Sequence, residues 1–441
     1  MTFDIFTDRQ IVILLFLPTI IIFGQVQTPT QPTFKNNFQQ PFTPNQNNNL
    51  TLDYPLKKNN NQQSNNQQNI QKQQQELEAI YREITQPSKT ETTATINYDL
   101  PSCSSVSGAS AYHSAFAEIS QMADGQKSFS LKEANFLVEN AFYENQAQFE
   151  QFNKVIKQMG QFLIWKMEEL NYDQNSNLAK NLILYRFFAD TLEIKSKNLK
   201  HLPFKYDFDD YMGNDDWTKM FIEKALATNS GQCHSLPLLY LMLAEEIGAM
   251  AQLAYSPNHS YVKFKDDNGK WHNVELTNGM MTTDAFILQS GYMKAEALQS
   301  QIYMQPLTKE QLLSNALFDL AKGYAVKYCY DSFVEQVINK ALELDPNNIN
   351  AQLLKSDYRT MRFMYVQKQL GVSPENIYKF PKANQLLNDM YAQYTTVNNL
   401  GFEEMPAEAY EQWLGSLQNA KQKQESQQMI IKLNQSIELQ R

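Results

Sequence analysis

A thiol, an imidazole and a carboxylate together make a nucleophile, its base and the group that orients the base. The chain carries all three in close succession: Cys233 in "GQCHSLPLLYLMLAEEIGA", His259 in "PNHSYVKF" and Glu275 in "GKWHNVEL". Proline is tolerated only in the opening turn of a helix, so Pro237 starts the leucine-rich helix somewhere in residues 233–236. A thiol at that start lies at the positive end of the helix dipole, which favours thiolate. Gly231 allows the backbone to bend sharply just before it. The competing reading is packing alone, since a free cysteine is also a small hydrophobe suited to a leucine-lined interior.

The base and the acid must come from elements that face this helix start. "HSYVKFK" and "KWHNVEL" read as strands, and the "DDNG" between them is the kind of turn that joins antiparallel neighbours. A loop of Asp266 to Asn268 sets Lys265 opposite Gly269 and His259 opposite Glu275, both on one sheet face. His272, beside Trp271, then falls on the other face. His234 is expected to point away from the thiol, to the surface or into a hydrogen bond. Ligand spacing fits no closed zinc pattern, so neither a metal nor a cofactor is expected. Gln232 and the backbone N–H of Cys233 are candidate donors to an oxyanion, with an ordinary turn as the simpler role for Gln232. Asn278 is a reserve orienting group. Trp217 and Trp271 either line a cleft or pack in a core.

The remaining sequence divides by composition. Residues 1–24 contain the uncharged run "IVILLFLPTIIIF" after Arg9, which fits a signal peptide, or an uncleaved anchor as the one route to a membrane. Residues 25–75, rich in Asn and Gln, have little apolar surface to bury and read as a disordered, low-complexity tether. Residues 76–200 read as helical, with Ser130 and Glu133 at capping-box spacing before "LKEANFLVENAF". Residues 201–300 combine helix with short strands, an α+β unit, and residues 306–441 return to helix, broken at "DPNN" with a new start near Ile349. The balance of 38 basic against 47 acidic residues supplies no phosphate-neutralising surplus, which argues against nucleic acid. With three cysteines, at least one lacks an intrachain partner. Cys103, in a serine-rich loop, either pairs with Cys329 or stays free, and Cys329 is expected inside a helix.

In their order and placement, Cys233, His259 and Glu275 resemble the transglutaminase-like superfamily, in which a G-x-C helix start is followed by a histidine strand and an acid strand. "ALELDPNN" resembles the end of a tetratricopeptide repeat, and the whole resembles exported bacterial proteins that join the two. Many members of the superfamily carry aspartate, proline and threonine where this chain has Glu275, Leu276 and Thr277. The resemblance implies a papain/transglutaminase-like core with a small antiparallel sheet, between a helical N-terminal region and a helical-repeat C-terminus. It implies thiol acyl transfer by Cys233, His259 and Glu275 on a protein or peptide substrate, peptide or amide hydrolysis being favoured over amine cross-linking. It also implies an exported location: periplasm, cell envelope or medium. The alternative is an inactive scaffold whose helical repeats bind a protein partner.

Overall fold

The computed structural model describes residues 95–417 and residue 419. The expected export segment, the expected tether and residues 76–94 of the expected helical region lie outside the described residues. Among the described helices none is long and apolar enough to cross a membrane.

The leucine-rich segment forms the central helix. Every side chain from Ser235 to Ala244 is buried, so the helix is covered all round. Each fully buried leucine contributes about 1.5–3 kcal/mol of transfer free energy. Elements precede it in the order α1 (Ala109–Ala123), α2 (Leu131–Phe142), α3 (Phe149–Glu169), α4 (Asn177–Ala189), β1 (Leu192–Ile194), β2 (Leu199–His201), β3 (Lys205–Tyr206), α5 (Ile222–Thr228) and β4 (Ser230–Gly231). The central helix is α6 (Ser235–Glu246), and α3, α4 and α5 pack around it. Its remaining side is covered by an antiparallel sheet of β5 (Gln252–Ser256), β6 (His259–Lys265), β7 (Trp271–Glu275) and β8 (Met280–Thr282), in that order. The described fold is therefore α+β, with small antiparallel sheets and one two-residue parallel pairing of β3 with β4.

The β6–β7 register differs from the expectation by two residues. Lys265 pairs with Trp271 and Val262 with Val274, so the connection runs from Asp266 to Lys270. Asp266 causes this: its carboxylate accepts the N–H groups of Asn268 and Lys270, each at 2.9 Å, and its own N–H donates to the Lys270 carbonyl at 2.9 Å. Continuing the ladder sets Glu275 beside Tyr261, not beside His259. A shift of two preserves the face of every side chain, so His259 and Glu275 still share one face while His272, paired with Phe264, lies on the other.

Beyond the sheet come α7 (Asp284–Leu288), α8 (Ala295–Gln299), α9 (Lys309–Lys327), α10 (Ser332–Leu344), α11 (Ile349–Leu370) and α12 (Pro381–Asn399). A last helix, α13, covers 407–417. The hydrophobic cores do not follow chain order. Helices α1 and α2 pack on α9, and α10 completes that core. Met405, Tyr410, Trp413, Leu414 and Leu417 instead join the core built on α3, α6 and the sheet. Cys103 and Cys329 are disulfide-bonded, across 226 positions. Cys329 lies in the link between α9 and α10, not within a helix as expected. At the start of α2 the Ser130 hydroxyl accepts the Glu133 N–H at 3.2 Å, but the Glu133 carboxylate is drawn instead to Lys127 Nζ at 2.6 Å. A reciprocal capping box occurs at Thr308 and Gln311, opening α9.

Candidate active site

Cys233 occupies the last turn of backbone before α6. Tyr206 of β3 pairs with Gly231 of β4, and Ser235 Oγ accepts the Gln232 N–H at 3.1 Å, fixing the approach to the helix. A β-carbon at Gly231 would lie 2.7 Å from Leu236 Cδ2 and 2.8 Å from Ser235 Oγ, so only glycine permits this close turn. Pro237 falls in the first turn of α6, where its missing N–H removes no helical hydrogen bond.

The base is placed by a tight hairpin. Ser256 pairs with His259 across Pro257 and Asn258, with Asn258 at φ 55°. Proline with its fixed φ followed by asparagine in the left-handed region is the pattern of a type II turn. His259 thus leaves the turn as the first residue of β6, and its neighbour Ser260 donates its hydroxyl to the Cys233 carbonyl. The nucleophile's backbone and the base's strand are tied directly.

His259 Nε2 lies 2.7 Å from Glu275 Oε2, and both side chains are almost fully buried. The other carboxylate oxygen, Oε1, accepts the Thr277 N–H at 2.8 Å. Glu275 therefore has both oxygens engaged, one orienting the ring and one anchored in its own turn. With Nε2–H donating to the carboxylate, Nδ1 is the nitrogen left to accept a proton on the cysteine side. Burial pushes the Cys233 thiol up, but the His259 ring, followed by the Tyr410 and Tyr206 hydroxyls, reverses this and brings it down to about 7. For His259 burial opposes the charged form, but the Glu275 charge and then the thiol's hydrogen bond outweigh it and raise the ring to about 10. Each group favours the charged form of the other, thiolate beside imidazolium.

Three aromatic residues that sequence reasoning did not assign stand over this group. The Tyr410 hydroxyl lies 3.6 Å from Cys233 Sγ and 3.4 Å from His259 Nδ1. Trp413 meets the His259 ring edge-on, with centroids 4.6 Å apart. The Tyr206 hydroxyl lies against both the thiol and Tyr410 without reaching hydrogen-bond geometry with either. Tyr410, Trp413, Leu414 and Leu417 have the spacing of one helical face, a signal that marks a buried stripe but not its target.

The remaining candidates lie apart from the proton path. His234 Nδ1 is 3.1 Å from the Met220 carbonyl and Nε2 is 3.0 Å from Asp319 Oδ2, a hydrogen-bonding role that turns it from the thiol. The Gln232 amide donates to the Asp210 carbonyl at 3.0 Å and so is not free to meet an oxyanion. Asn278 donates to the Leu417 carbonyl at 3.2 Å, which leaves orientation of His259 to Glu275. Trp217 is buried in the α1–α2–α9 core, and Trp271 stands half-exposed at the far end of β7 under Lys265. His272 pairs with Asp266 at 2.9 Å on the face opposite His259, stacked on Phe264. Among the described residues no group of three or more His, Cys, Asp or Glu side chains is placed to hold a metal ion. Compared with family models, curated proteins and solved structures, the chain matches none.

Proposed function

We propose that this chain is an exported, transglutaminase-like cysteine enzyme that transfers an acyl group from a peptide or amide to its own thiol and then to water. The single observation that carries the reading is the 2.7 Å bond from His259 Nε2 to Glu275, which leaves Nδ1 for the cysteine side. The Cys233 proton passes to His259 Nδ1, and the thiolate attacks the carbonyl carbon to form a C–S bond. The imidazolium returns that proton to the leaving nitrogen as the C–N bond breaks, giving a thioester and an amine. His259 then takes a proton from water, the hydroxide displaces the thioester, and the acid and the thiol are regenerated. Glu275 holds the ring and stabilises its charged form throughout. The Cys233 backbone N–H is the donor we assign to the oxyanion. An amine in place of water would give cross-linking by the same steps. The Cys103–Cys329 disulfide supports the export reading, because such bonds persist in oxidising compartments.

A second reading, a scaffold of the same papain/transglutaminase-like core with helical repeats binding a protein partner, is favoured by the Tyr410 hydroxyl resting on the thiol. Titration separates the two. The chain has three cysteines and two are disulfide-bonded, so thiolate absorbance follows Cys233 alone. An enzyme thiol titrates near about 7 and moves up toward the ordinary value in His259→Ala, and Cys233→Ala abolishes release of amine from peptide amides. An ordinary thiol midpoint that His259→Ala leaves unchanged rejects the catalytic reading.

A further inference from the structure

The segment 402–417 crosses the mouth of the Cys233–His259–Glu275 cleft, and we propose that it is an autoinhibitory strap. It must be displaced before a polypeptide substrate can reach the thiol. The geometry of the strap is independent of the enzymatic reading, but its consequence for turnover rests on that reading. After α12 the chain reverses at Gly401, with φ 83°. A side chain there would collide with the backbone of Glu296 and Ala297, so the reversal is built for glycine. The strap is then pinned at both ends by asparagines that bracket the base and the acid. Asn258, immediately before His259, donates to the Met405 carbonyl at 3.1 Å. Asn278, shortly after Glu275, donates to the Leu417 carbonyl at 3.2 Å. The opposite wall contributes Tyr211, whose hydroxyl donates to Glu411 Oε1 at 3.2 Å and whose ring packs 5.3 Å from that of Tyr410.

Between these pins Tyr410 and Leu417 are 1% and 0% exposed. The Tyr410 hydroxyl lies within 3.6 Å of the sulfur and 3.4 Å of the base nitrogen at once. An acyl carbon must come to roughly 3–3.5 Å from the sulfur to react, and the phenol holds that space. Yet the strap is not a fixed part of the sheet. No described strand pairs with it, and in 402–406 it runs as coil with Glu404 and Pro406 exposed. That coil is the part of the strap with few backbone hydrogen bonds, and such segments open locally at a fraction of the global unfolding free energy, carrying the helix 407–417 with them. Beside the thiol and the acid, buried polar atoms also remain with no partner in the protein, among them Gln232 Oε1 and Asn278 Oδ1. Apolar strap side chains do not satisfy these groups, whereas the amide groups of an extended polypeptide would.

The test is the rate at which neutral iodoacetamide alkylates Cys233, divided by the thiolate fraction measured by absorbance, so that it reports access rather than acidity. In the full chain, Tyr410→Ala is expected to raise this rate about tenfold or more, and Tyr410→Phe, which keeps the ring, to stay near the parent rate. Should Tyr410→Ala not fold, a protease recognition sequence inserted between Glu403 and Glu404 allows cleavage and removal of the strap from folded protein. Alkylation then rises by a similar factor and falls again on adding a synthetic peptide of residues 402–417. A rate per thiolate that neither Tyr410→Ala nor strap removal changes overturns the strap. If the rate rises but no peptide amide is hydrolysed, the strap stands and the enzymatic reading fails. If it does not rise while the His259-dependent thiol midpoint persists, the strap fails and the enzymatic reading is untouched.

Discussion

Two histidines near the start of α6 each meet a carboxylate, and only one of them keeps a second nitrogen beside a group that titrates. His259 bonds Glu275 at 2.7 Å and His234 bonds Asp319 at 3.0 Å. Both rings are shifted upward, to about 10 and about 9, and in both the carboxylate charge is the main force against burial. The difference lies in the second nitrogen. His234 Nδ1 is taken by the Met220 carbonyl, a partner that can only accept, so no titratable group meets that nitrogen. His259 Nδ1 lies 3.4 Å from the Tyr410 hydroxyl, which in turn lies 3.6 Å from the Cys233 sulfur, and phenol and thiol can both give or take a proton. A raised imidazole pKa therefore marks a buried ion pair in either place, and what separates base from brace is whether the far nitrogen has a titratable neighbour.

The contrast breaks most visibly under paired alanine substitution. His259→Ala is expected to lower peptide-amide turnover by about 10²–10⁴-fold, measured once the strap has been released. His234→Ala leaves the chemistry within a few-fold but strands Asp319 and the Met220 carbonyl, a loss of about 1–3 kcal/mol in denaturant unfolding. Equal losses of turnover in the two variants would erase the distinction. Glu275→Gln sharpens it further. The amide oxygen can still accept from Thr277 N–H, but the charge that holds the imidazolium is gone. The His259 pKa should then fall, the thiol midpoint rise, and turnover drop less than in His259→Ala. A Glu275→Gln thiol that titrates as in the parent would assign the low midpoint to Tyr410 and Tyr206 instead.

The floor of the cleft was largely legible because its information is local. Pro237 bounds the start of α6, whose first residue is Ser235, and the period of two along a strand fixes which face His259 and Glu275 share. The register was not legible: the Asp266 carboxylate captures two backbone N–H groups and lengthens the loop, a preference of one side chain that turn propensity did not resolve. Half of the Ser130 capping box failed for a similar reason, since Lys127 competes for Glu133. The cover of the cleft was hidden altogether. The stripe of Tyr410, Trp413, Leu414 and Leu417 tells that a helix face is buried, but its target is set by packing across a long sequence separation. The same holds for α1 and α2, whose partner α9 lies beyond the whole sheet in chain order. The sequence left open whether Cys103 pairs with Cys329 or stays free, and the fold brings the two together.

The smallest expected effect is the pH dependence of the His234 brace. Its folded-state pKa, about 9, is raised above the unfolded value of 6.5, so its contribution is complete below pH 6.5 and fades as pH climbs through about 9. The side chains of His234 and Asp319 are 24% and 11% exposed, so a discount for solvent leaves about 2 kcal/mol of pH-dependent stability. Unfolding free energies of the parent and Asp319→Asn should therefore differ most near pH 6 and converge toward pH 10. Asparagine keeps a hydrogen-bonding oxygen for the ring but not the charge, so the convergence isolates the Coulomb part. His259 would show the same sign in Glu275→Gln, with its fall displaced upward toward pH 10, and Cys233 adds a term of opposite sense that is lost as pH drops through about 7. A gap between parent and Asp319→Asn that stays constant from pH 6 to 10 would mean that His234 is held as a neutral ring. The resemblance between the two histidine sites would then be geometric only, with a single charged imidazole left at the start of α6.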